Sequence, residues 1–237
     1  MDAPPKVCVV IPTYNEKENV HALVESIEEA RLNDLSVLFV DDSSPDGTAE
    51  EVRRVAESRP WVRILVRENK RGIGSAYQDG FKEAILQTRA TILVEMDADL
   101  QHPASALPEL LEAIGRGADV AVASRYVEGG GISGWSRWRR LLSRGANAYA
   151  RTLLRLQVRD TTSGFRAYTS RAAEELAGPS LPAKGFEFQV AALYHLKRSC
   201  KIVEVPYVFV TRKAGKSKLR LWDTLRFFFS VMRISIG

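Results

Sequence analysis

The first half of the chain alternates short apolar runs with longer amphipathic segments, and this alternation restricts the fold more than any other feature. Five runs have the length and β-branched content of strands: 7–10, 37–40, 62–66, 92–96 and 120–123. They are almost continuously hydrophobic, as is typical of strands buried on both faces. Segments of helical periodicity lie near 17–32, 48–58, 73–89 and 105–115. The sequence therefore predicts an α/β fold with a doubly wound, mostly parallel sheet.

The composition is that of a globular protein with its own core. The chain has 237 residues, of which 45% are hydrophobic. Its two cysteines, Cys8 and Cys200, exclude a disulfide scaffold and a cysteine-rich zinc site. The N-terminus lacks the pattern of a secretory signal, and no apolar run reaches the roughly 18 residues of a spanning helix. We expect a protein of the reducing cytosol.

The charge is divided unevenly along the chain. Residues 1–130 contain 14 Lys and Arg against 23 Asp and Glu, a balance of −9. Residues 131–237 contain 20 against 6, a balance of +14. This division predicts two surfaces with different partners, one acidic and one basic.

Carboxylates follow the first, second and fourth predicted strands. Parallel strands bring their carboxyl ends to one edge of a sheet, so these groups are expected to converge. Asp97 and Asp99 follow a buried strand two residues apart and can share Mg²⁺ or Mn²⁺, with Gln101 adding a carbonyl or holding a water. An isolated Asp-x-Asp is more often a solvated turn, but the two other acidic strand ends favour a metal site.

The residues after the second strand admit two interpretations. One aspartate caps the helix that begins near Thr48, or Asp42 accepts hydrogen bonds from a nucleoside. The chain has no glycine-rich dinucleotide motif after its first strand and no Walker motif. A metal, rather than a glycine loop, would then carry a diphosphate.

An ordered set of motifs resembles family 2 glycosyltransferases with the GT-A fold. The motifs are Pro-Thr-Tyr-Asn-Glu at 12–16, Asp-Asp-Ser-Ser-Pro-Asp-Gly-Thr at 41–48, Asn-Lys-Arg-Gly-Ile-Gly at 69–74 and Asp-Ala-Asp-Leu-Gln-His-Pro at 97–103. Ser-Arg-Tyr at 124–126 and Asp-Thr-Thr-Ser-Gly-Phe-Arg at 160–166 narrow the resemblance to polyprenyl-phosphate (dolichol-phosphate) mannose synthases. We expect a GT-A catalytic domain over 1–218 and an amphipathic membrane-interface helix over 219–237.

The resemblance implies an inverting transfer of mannose from GDP-mannose to a polyprenyl (dolichyl) phosphate, with GDP as the other product. It implies a divalent metal cofactor, Mg²⁺ or Mn²⁺. The alternative donor for the same lipid acceptor is UDP-glucose or another nucleotide sugar.

The resemblance also assigns roles to individual residues. Those expected at the nucleotide sugar are Pro12, Tyr14, Glu16, Val40, Asp42, Asp97, Ala98, Arg212 and Lys218, the last two closing over the diphosphate. Those expected at the metal are Asp97, Asp99 and Gln101. The catalytic set comprises Asp99, Arg125, Arg137 and Arg139, with Arg125 and one of the other two arginines facing the acceptor phosphate. His102 is disfavoured as a ligand, because family members use the preceding positions.

Two basic amphipathic helices are predicted in the second half. The first, near 135–156, has a basic stripe of Arg137, Arg140, Arg144, Arg151 and Arg155 and an apolar stripe of Trp138, Leu142, Gly145, Tyr149, Leu153 and Leu156. The second, over 219–236, contains three consecutive phenylalanines. Either helix could pack on the sheet or lie in a membrane interface. For the helix over 219–236, the membrane interface is favoured. We expect a peripheral enzyme on the cytoplasmic side of a membrane, with a small membrane-anchoring subunit as a further candidate partner.

Two other classes of function compete with this interpretation. The basic half alone suggests a nucleic-acid-binding module, but recognition signatures are missing and the acidic edge would have no role. A catalytically silent membrane adaptor is disfavoured by the intact Asp97 and Asp99. We therefore expect no nucleic-acid partner.

Overall fold

The structure, a computed structural model, describes residues 5–178, 181, 185, 187–211 and 221–236. The strands are β1 (Val7–Thr13), β2 (Leu35–Asp41), β3 (Val62–Val66), β4 (Ile92–Glu95), β5 (Val120–Ser124), β6 (Gly131–Ile132), β7 (Arg166–Thr169), β8 (Ile202–Pro206) and β9 (Val208–Phe209). The helices are α1 (Lys17–Glu29), α2 (Thr48–Ser58), α3 (Ile73–Thr88), α4 (Leu107–Gly115), α5 (Arg137–Leu154), α6 (Ser170–Ala177), α7 (Phe188–Leu196) and α8 (Leu221–Ile236).

A seven-stranded sheet in the order β3-β2-β1-β4-β7-β5-β8 forms the centre. Its pairs are parallel except those of β7, which runs antiparallel to both β4 and β5. The short strands β6 and β9 form a separate parallel pair. The prediction of a mostly parallel sheet is confirmed, and the antiparallel β7 is an addition that the sequence pattern did not indicate.

Alternate residues of β1 supply two apolar layers, one on each face of the sheet. Val7, Val9 and Ile11 pack with α1, α2 and α4, whereas Cys8 and Val10 pack with α3, α6 and α7. Because both faces are covered, neither set of side chains reaches solvent. This burial is the physical reason for the continuous hydrophobic runs.

The strand β7 begins with a charged side chain that is buried inside the protein. Its first residue, Arg166, lies opposite Glu95 of β4, and both side chains are completely buried. Arg166 donates to the carbonyl oxygens of Gln189 and Thr161, at 2.8 and 3.0 Å. Burial raises the pKa of Glu95 to about 7, although the charge of Arg166 opposes that shift.

The two basic helices pack against each other. α5 runs without interruption through Gly145, and α8 contacts it. The Tyr149 hydroxyl of α5 donates to the Phe228 carbonyl oxygen at 3.3 Å, and Val231 of α8 is completely buried. The predicted division between residues 218 and 219 lies outside the described residues.

Helix α3 packs closely on the sheet at Gly80. A Cβ atom on Gly80 would lie 2.4 Å from Val10 Cγ1 and 2.9 Å from Val40 Cγ2. Apart from the backbone of α5 itself, no heavy atom lies within 4 Å of the corresponding point on Gly145, in the middle of that helix. Gly80 is therefore buried where no side chain fits, whereas Gly145 is exposed with open space beside it.

We expect Gly80→Ala to lower the free energy of unfolding by about 1–3 kcal/mol, because the added methyl group overpacks the core. Gly145→Ala is the matched control and should raise it by about 0.5–1 kcal/mol, since alanine favours a helix interior. Urea unfolding of both variants measures the difference. Equal effects of the two substitutions would contradict the close approach of α3 to the sheet.

Candidate active site

The carboxyl ends of β2, β1 and β4 lie side by side at one edge of the sheet, as the sequence predicts. Thr13 pairs with Asp41 in the β1–β2 register, and Val10 pairs with Glu95 in the β1–β4 register. Two hydrogen bonds continue this alignment past the strand ends: the Asp42 N–H donates to the Thr13 oxygen, and the Met96 N–H donates to the Val10 oxygen, each at 3.2 Å.

The two adjacent aspartates after β2 have different environments. The completely buried Asp41 carboxylate accepts from the Thr13 hydroxyl at 2.9 Å and from the Ser44 N–H and hydroxyl at 2.9 and 2.6 Å. These bonds hold the loop in place. The N-cap residue of α2 is Gly47, and the Asp46 carboxylate just before it accepts from the Thr48 N–H at 3.0 Å.

Asp42 is held by an arginine that the sequence reasoning missed. Arg67 Nε donates to Asp42 Oδ1 at 2.6 Å, and Nη1 donates to Ser75 Oγ at 2.9 Å and to Asp79 Oδ2 at 3.1 Å. Burial raises the pKa of Asp42, and Arg67 opposes that shift. Arg67 directly follows β3, so its position at the same edge was the available signal.

A pocket of about 460 Å³ opens beside this ion pair. It is lined by Leu65, Val66, Arg67, Glu68, Asn69, Arg71 and Asp79. Arg71 also donates to Asp79, at 2.5 Å. The pocket therefore has both charged donors and acceptors along its wall.

The residues after β1 lie at the same edge. Lys70 Nζ lies 3.5 Å from the centre of the Tyr14 ring, a cation–π contact. Glu16 accepts from Asn19 Nδ2 at 2.6 Å, and its N–H donates to Thr48 Oγ1 at 3.1 Å. Further inside, Pro12 pairs with Val40 in the β1–β2 register, and the Val40 side chain is completely buried beneath α3.

The Asp97–Asp99 segment leaves β4 as a tight loop. The Tyr77 hydroxyl donates to Asp97 Oδ1 at 3.2 Å, and the Gln101 N–H donates to Asp99 Oδ1 at 3.1 Å. Burial, together with the charge of Asp97, raises the pKa of Tyr77 well above its ordinary value, so the hydroxyl keeps its proton. Ala98 is buried between the two aspartates.

The donor atoms of this loop fit a hard divalent cation. A Cβ atom on Gly164 would lie 3.3 Å from Gln189 Nε2 and 3.7 and 3.8 Å from the two Asp97 carboxylate oxygens, so the glycine brings the backbone before β7 close to this carboxylate. Among the described residues, no three or more His, Cys, Asp or Glu side chains are grouped to hold a metal by themselves. A cation that takes one or two carboxylates and completes its shell with phosphate oxygens suits such a donor set.

Arg125 lies in a second charged cluster, after β5. Its Nε and Nη2 donate to the two carboxylate oxygens of Asp160 at 2.7 and 2.6 Å, and Nη2 also donates to Thr162 Oγ1 at 2.8 Å. Burial disfavours the charged form of Arg125, but Asp160 outweighs it and holds the pKa above its usual range. The predicted arginine is therefore a fixed, permanently charged group.

The start of α5 places only one of the two alternative arginines beside Arg125. The Arg139 guanidinium lies 4.1 Å from the Trp135 ring centre, and that of Arg125 lies 5.7 Å from the same ring. Partial burial and the nearby charge of Arg125 lower the pKa of Arg139. Arg137 is exposed in the first turn of α5. The geometry favours Arg139 over Arg137.

Polar residues that the sequence reasoning left without a role support Arg125. Glu204 of β8 accepts from the N–H groups of Arg159 and Asp160 at 2.8 and 2.9 Å. Asn147 of α5 accepts from the Thr161 N–H at 2.7 Å and donates to Thr162 Oγ1 at 3.1 Å. Asp160 was part of a recognised motif, but nothing in its spacing indicated its partner. The predicted Arg212 and Lys218 lie outside the described residues.

Comparison with known protein families identifies this arrangement. The family model described as Glycosyl transferase family 2 matches residues 8–177. The chain belongs to glycosyltransferase family 2.

Three curated relatives of the glycosyltransferase are similar over most of its length. Polyprenol monophosphomannose synthase of Mycolicibacterium smegmatis is 40% identical over 90% of this chain and 81% of that protein. Dolichol-phosphate mannosyltransferase of Pyrococcus furiosus is 39% identical over 96% of this chain and 64% of that protein. Undecaprenyl-phosphate mannosyltransferase of Micrococcus luteus is 40% identical over 90% of this chain and 87% of that protein.

Solved structures of glycosyltransferases share the fold, which is of the GT-A type. The mannosyltransferase PcManGT from Pyrobaculum calidifontis, in complex with GDP-Man and Mn²⁺, has a TM-score of 0.63 at 20% identity, covering 91% of this chain and 59% of that one. Glucosyl-3-phosphoglycerate synthase from Mycobacterium tuberculosis, in complex with Mn²⁺, UDP-glucose and phosphoglyceric acid, has a TM-score of 0.68 at 20% identity, covering 98% of this chain and 80% of that one.

The buried ion pair between Arg67 and Asp42 should stabilise the glycosyltransferase. Arg67→Met leaves the buried Asp42 carboxylate without its cation and should lower the free energy of unfolding by about 3–5 kcal/mol. Arg71→Met is the control, because Arg71 is exposed and its loss should change stability by less than about 1 kcal/mol. Chemical denaturation of the two variants measures the contrast, and equal losses would contradict the buried pair.

Proposed function

We propose that the glycosyltransferase transfers mannose from GDP-mannose to the phosphate of a polyprenyl (dolichyl) phosphate, with inversion at the anomeric carbon and release of GDP. The observation that carries the proposal is identity of 39–40%, over at least 90% of the chain, with three proteins named for mannosyl transfer to such lipids. The two charged clusters give this reaction a physical basis, because both of its substrates are phosphate esters.

The edge formed by β2, β1 and β4 is the proposed donor site. Guanine presents adjacent N–H donors, and the Asp42 carboxylate, held by Arg67, offers acceptors beside the pocket. Asp97 and Asp99, with Gln101 beside them, would hold Mg²⁺ or Mn²⁺ on the diphosphate. When bound, the cation stabilises the negative charge that develops on the departing GDP.

Arg125 and Arg139 form the proposed acceptor site. An acceptor phosphate is already ionised near neutral pH, so the reaction needs little help from a general base. The task of the arginines is to hold the acceptor anion near the donor anion. Arg139 has a planar guanidinium group that can form paired hydrogen bonds with phosphate oxygens, whereas Arg125 uses Nε and Nη2 on Asp160 and contributes through its fixed position. Arg212 and Lys218 are proposed to close over the diphosphate.

In the proposed reaction an oxygen of the acceptor phosphate attacks the anomeric carbon of mannose. The new carbon–oxygen bond forms on the face opposite the GDP, and the bond to the diphosphate oxygen breaks with its electron pair leaving on GDP. Attack from the opposite face accounts for the inversion. The charge of the leaving diphosphate is what the donor site must stabilise.

The direct test offers labelled GDP-mannose and labelled UDP-glucose, in parallel, with polyprenyl phosphate and Mg²⁺ or Mn²⁺. We expect label to enter the organic-extractable fraction from GDP-mannose. Extraction of label from UDP-glucose alone would establish the alternative donor. No extraction from either donor would contradict the proposed function.

Loss of either metal-site carboxylate should abolish this transfer. Asp97→Asn and Asp99→Asn each remove a charged oxygen ligand, and we expect activity to fall at least 100-fold, a typical loss for a group of this kind. Asp34→Asn, on an exposed loop, is the control and should retain activity. Circular dichroism should show the same fold in all three variants, and full activity in either site variant would contradict the assignment.

We also propose that α5 and α8 lie against a membrane surface on its cytoplasmic side, with residues 1–218 as the catalytic domain and 219–237 as the interface helix. Among the described residues no helix is long and apolar enough to cross a membrane. The apolar stripe predicted on α5 faces outward at Trp138, Leu142 and Leu153, and α8 exposes Phe229 and Ile236. Exposed apolar side chains among arginines are typical of interfacial helices. A small membrane-anchoring subunit is the other candidate for this surface.

Replacing exposed apolar residues of α5 should weaken membrane association. We expect Trp138→Ser combined with Leu141→Ser, which are 69% and 60% exposed, to reduce co-sedimentation with anionic liposomes about tenfold or more, since each side chain contributes about 1.5–3 kcal/mol when buried. Leu86→Ser, at a 75% exposed position on α3, is the control and should have no effect. Unchanged co-sedimentation of the double variant would contradict the membrane contact of α5 and favour the anchoring subunit as the partner of this surface.

A further inference from the structure

His102 is a buried side chain at the metal-site loop that the proposed reaction does not use. It is 4% exposed, and its ring meets Asp97 at two points. Nδ1 accepts a hydrogen bond from the Asp97 backbone N–H at 3.1 Å. Nε2 lies 3.7 Å from Asp97 Oδ2. That separation is too long for a hydrogen bond, and the contact is electrostatic.

The hydrogen bond determines how the ring can act. Because Nδ1 accepts, the ring proton lies on Nε2, on the side of the Asp97 carboxylate. Neither nitrogen then has a free lone pair to offer a cation. In this arrangement His102 cannot be a metal ligand, but it contacts both the backbone and the carboxylate of a residue proposed as one.

Aromatic side chains from two other segments hold the ring in place. Phe165 stacks on it, with ring centres 5.0 Å apart and planes inclined by 8°. Tyr207 and Phe209 meet it edge-on, each at 6.2 Å. Phe165 precedes β7, and Tyr207 lies between β8 and β9, so the ring links the loop after β4 to the far half of the sheet.

We propose that His102 is a positioning residue, which fixes the Asp97 backbone at the point from which its carboxylate extends and thereby sets the affinity of the cation site. The proposal rests on the proposed function in placing the cation at Asp97 and Asp99. Its physical basis is that a hydrogen-bonded ring, held on three sides, prevents the loop from turning away. Groups that orient metal ligands in this manner typically change metal affinity or activity by about 10–100-fold when removed.

Two substitutions separate the hydrogen bond from the packing. His102→Phe keeps a ring for Phe165 to stack on but removes the acceptor, whereas His102→Asn keeps an acceptor oxygen close to the position of Nδ1. Phe165→Leu is the structural control, because it removes the stacked ring and leaves the hydrogen bond to Asp97 available. Thermal unfolding without metal reports the packing cost of each substitution.

The measurement is Mn²⁺ binding in the presence of GDP, followed by the electron paramagnetic resonance signal of free Mn²⁺. We expect His102→Phe to raise the dissociation constant 10–100-fold, and His102→Asn and Phe165→Leu to stay within about threefold of the original protein. In the transfer assay, His102→Phe should raise the apparent KM for the metal more than it lowers kcat. Unchanged Mn²⁺ binding by His102→Phe, or equal losses in His102→Phe and His102→Asn, would overturn the proposal.

The binding assay also separates this proposal from the proposed function. Asp97→Asn serves as the reference for loss of the cation site, and no sugar or lipid is present. If the original protein binds Mn²⁺ with GDP and His102→Phe weakens that binding, the positioning role holds even when mannose transfer fails. If Asp97→Asn binds Mn²⁺ as tightly as the original protein, the positioning role is overturned, whichever donor the enzyme uses.

Discussion

The parallel alignment of β1 with β2 and β4 is the constraint on which the site depends. Neighbouring parallel strands end at the same edge of the sheet. Residues at the ends of β2 and β4, which are far apart in sequence, are therefore separated by about two strand spacings of roughly 5 Å each. The hydrogen bonds from Asp42 and Met96 to β1 extend this order beyond the strands. Asp42 and Asp97 reach the same edge for this reason. The free energy gained when the sheet folds offsets the repulsion between the carboxylates.

A buried ion pair fixes charged side chains in each of the two charged clusters. Asp42 with Arg67 lies at the edge formed by β2, β1 and β4, and Arg125 with Asp160 lies after β5. Charges fixed in advance need little rearrangement when a charged substrate binds, and this preorganisation is the main source of electrostatic catalysis. The uneven charge along the chain has a different division: the acidic part, residues 1–130, contains the Asp97–Asp99 loop and also Arg125, and the basic part contains α5 and α8.

The sequence pattern predicted the strands and helices of the first half better than it predicted which side chains contact one another. Four of the five predicted strands were visible because burial on both faces leaves a long apolar run, whereas β3 lies at the end of the strand order and is only partly buried. The helices of the first half were visible from their periodicity. β7 was missed because it is short and begins with the buried Arg166. Arg67 and Asp160 were left without roles because the partner of each is distant in sequence and is brought near by the fold. The geometry favours Arg139 over Arg137 through its contact with Trp135, and no pattern of charges contained that information.

We infer that the loop after β4, together with Asp42, forms a cation-dependent nucleotide site. The most direct test is anomalous X-ray scattering from crystals grown with Mn²⁺ and GDP. We expect one manganese peak within coordination distance of the Asp97 and Asp99 carboxylates and of the diphosphate, with the base in the pocket beside Asp42. A manganese peak away from both aspartates, or GDP bound without contact to Asp42, would contradict it.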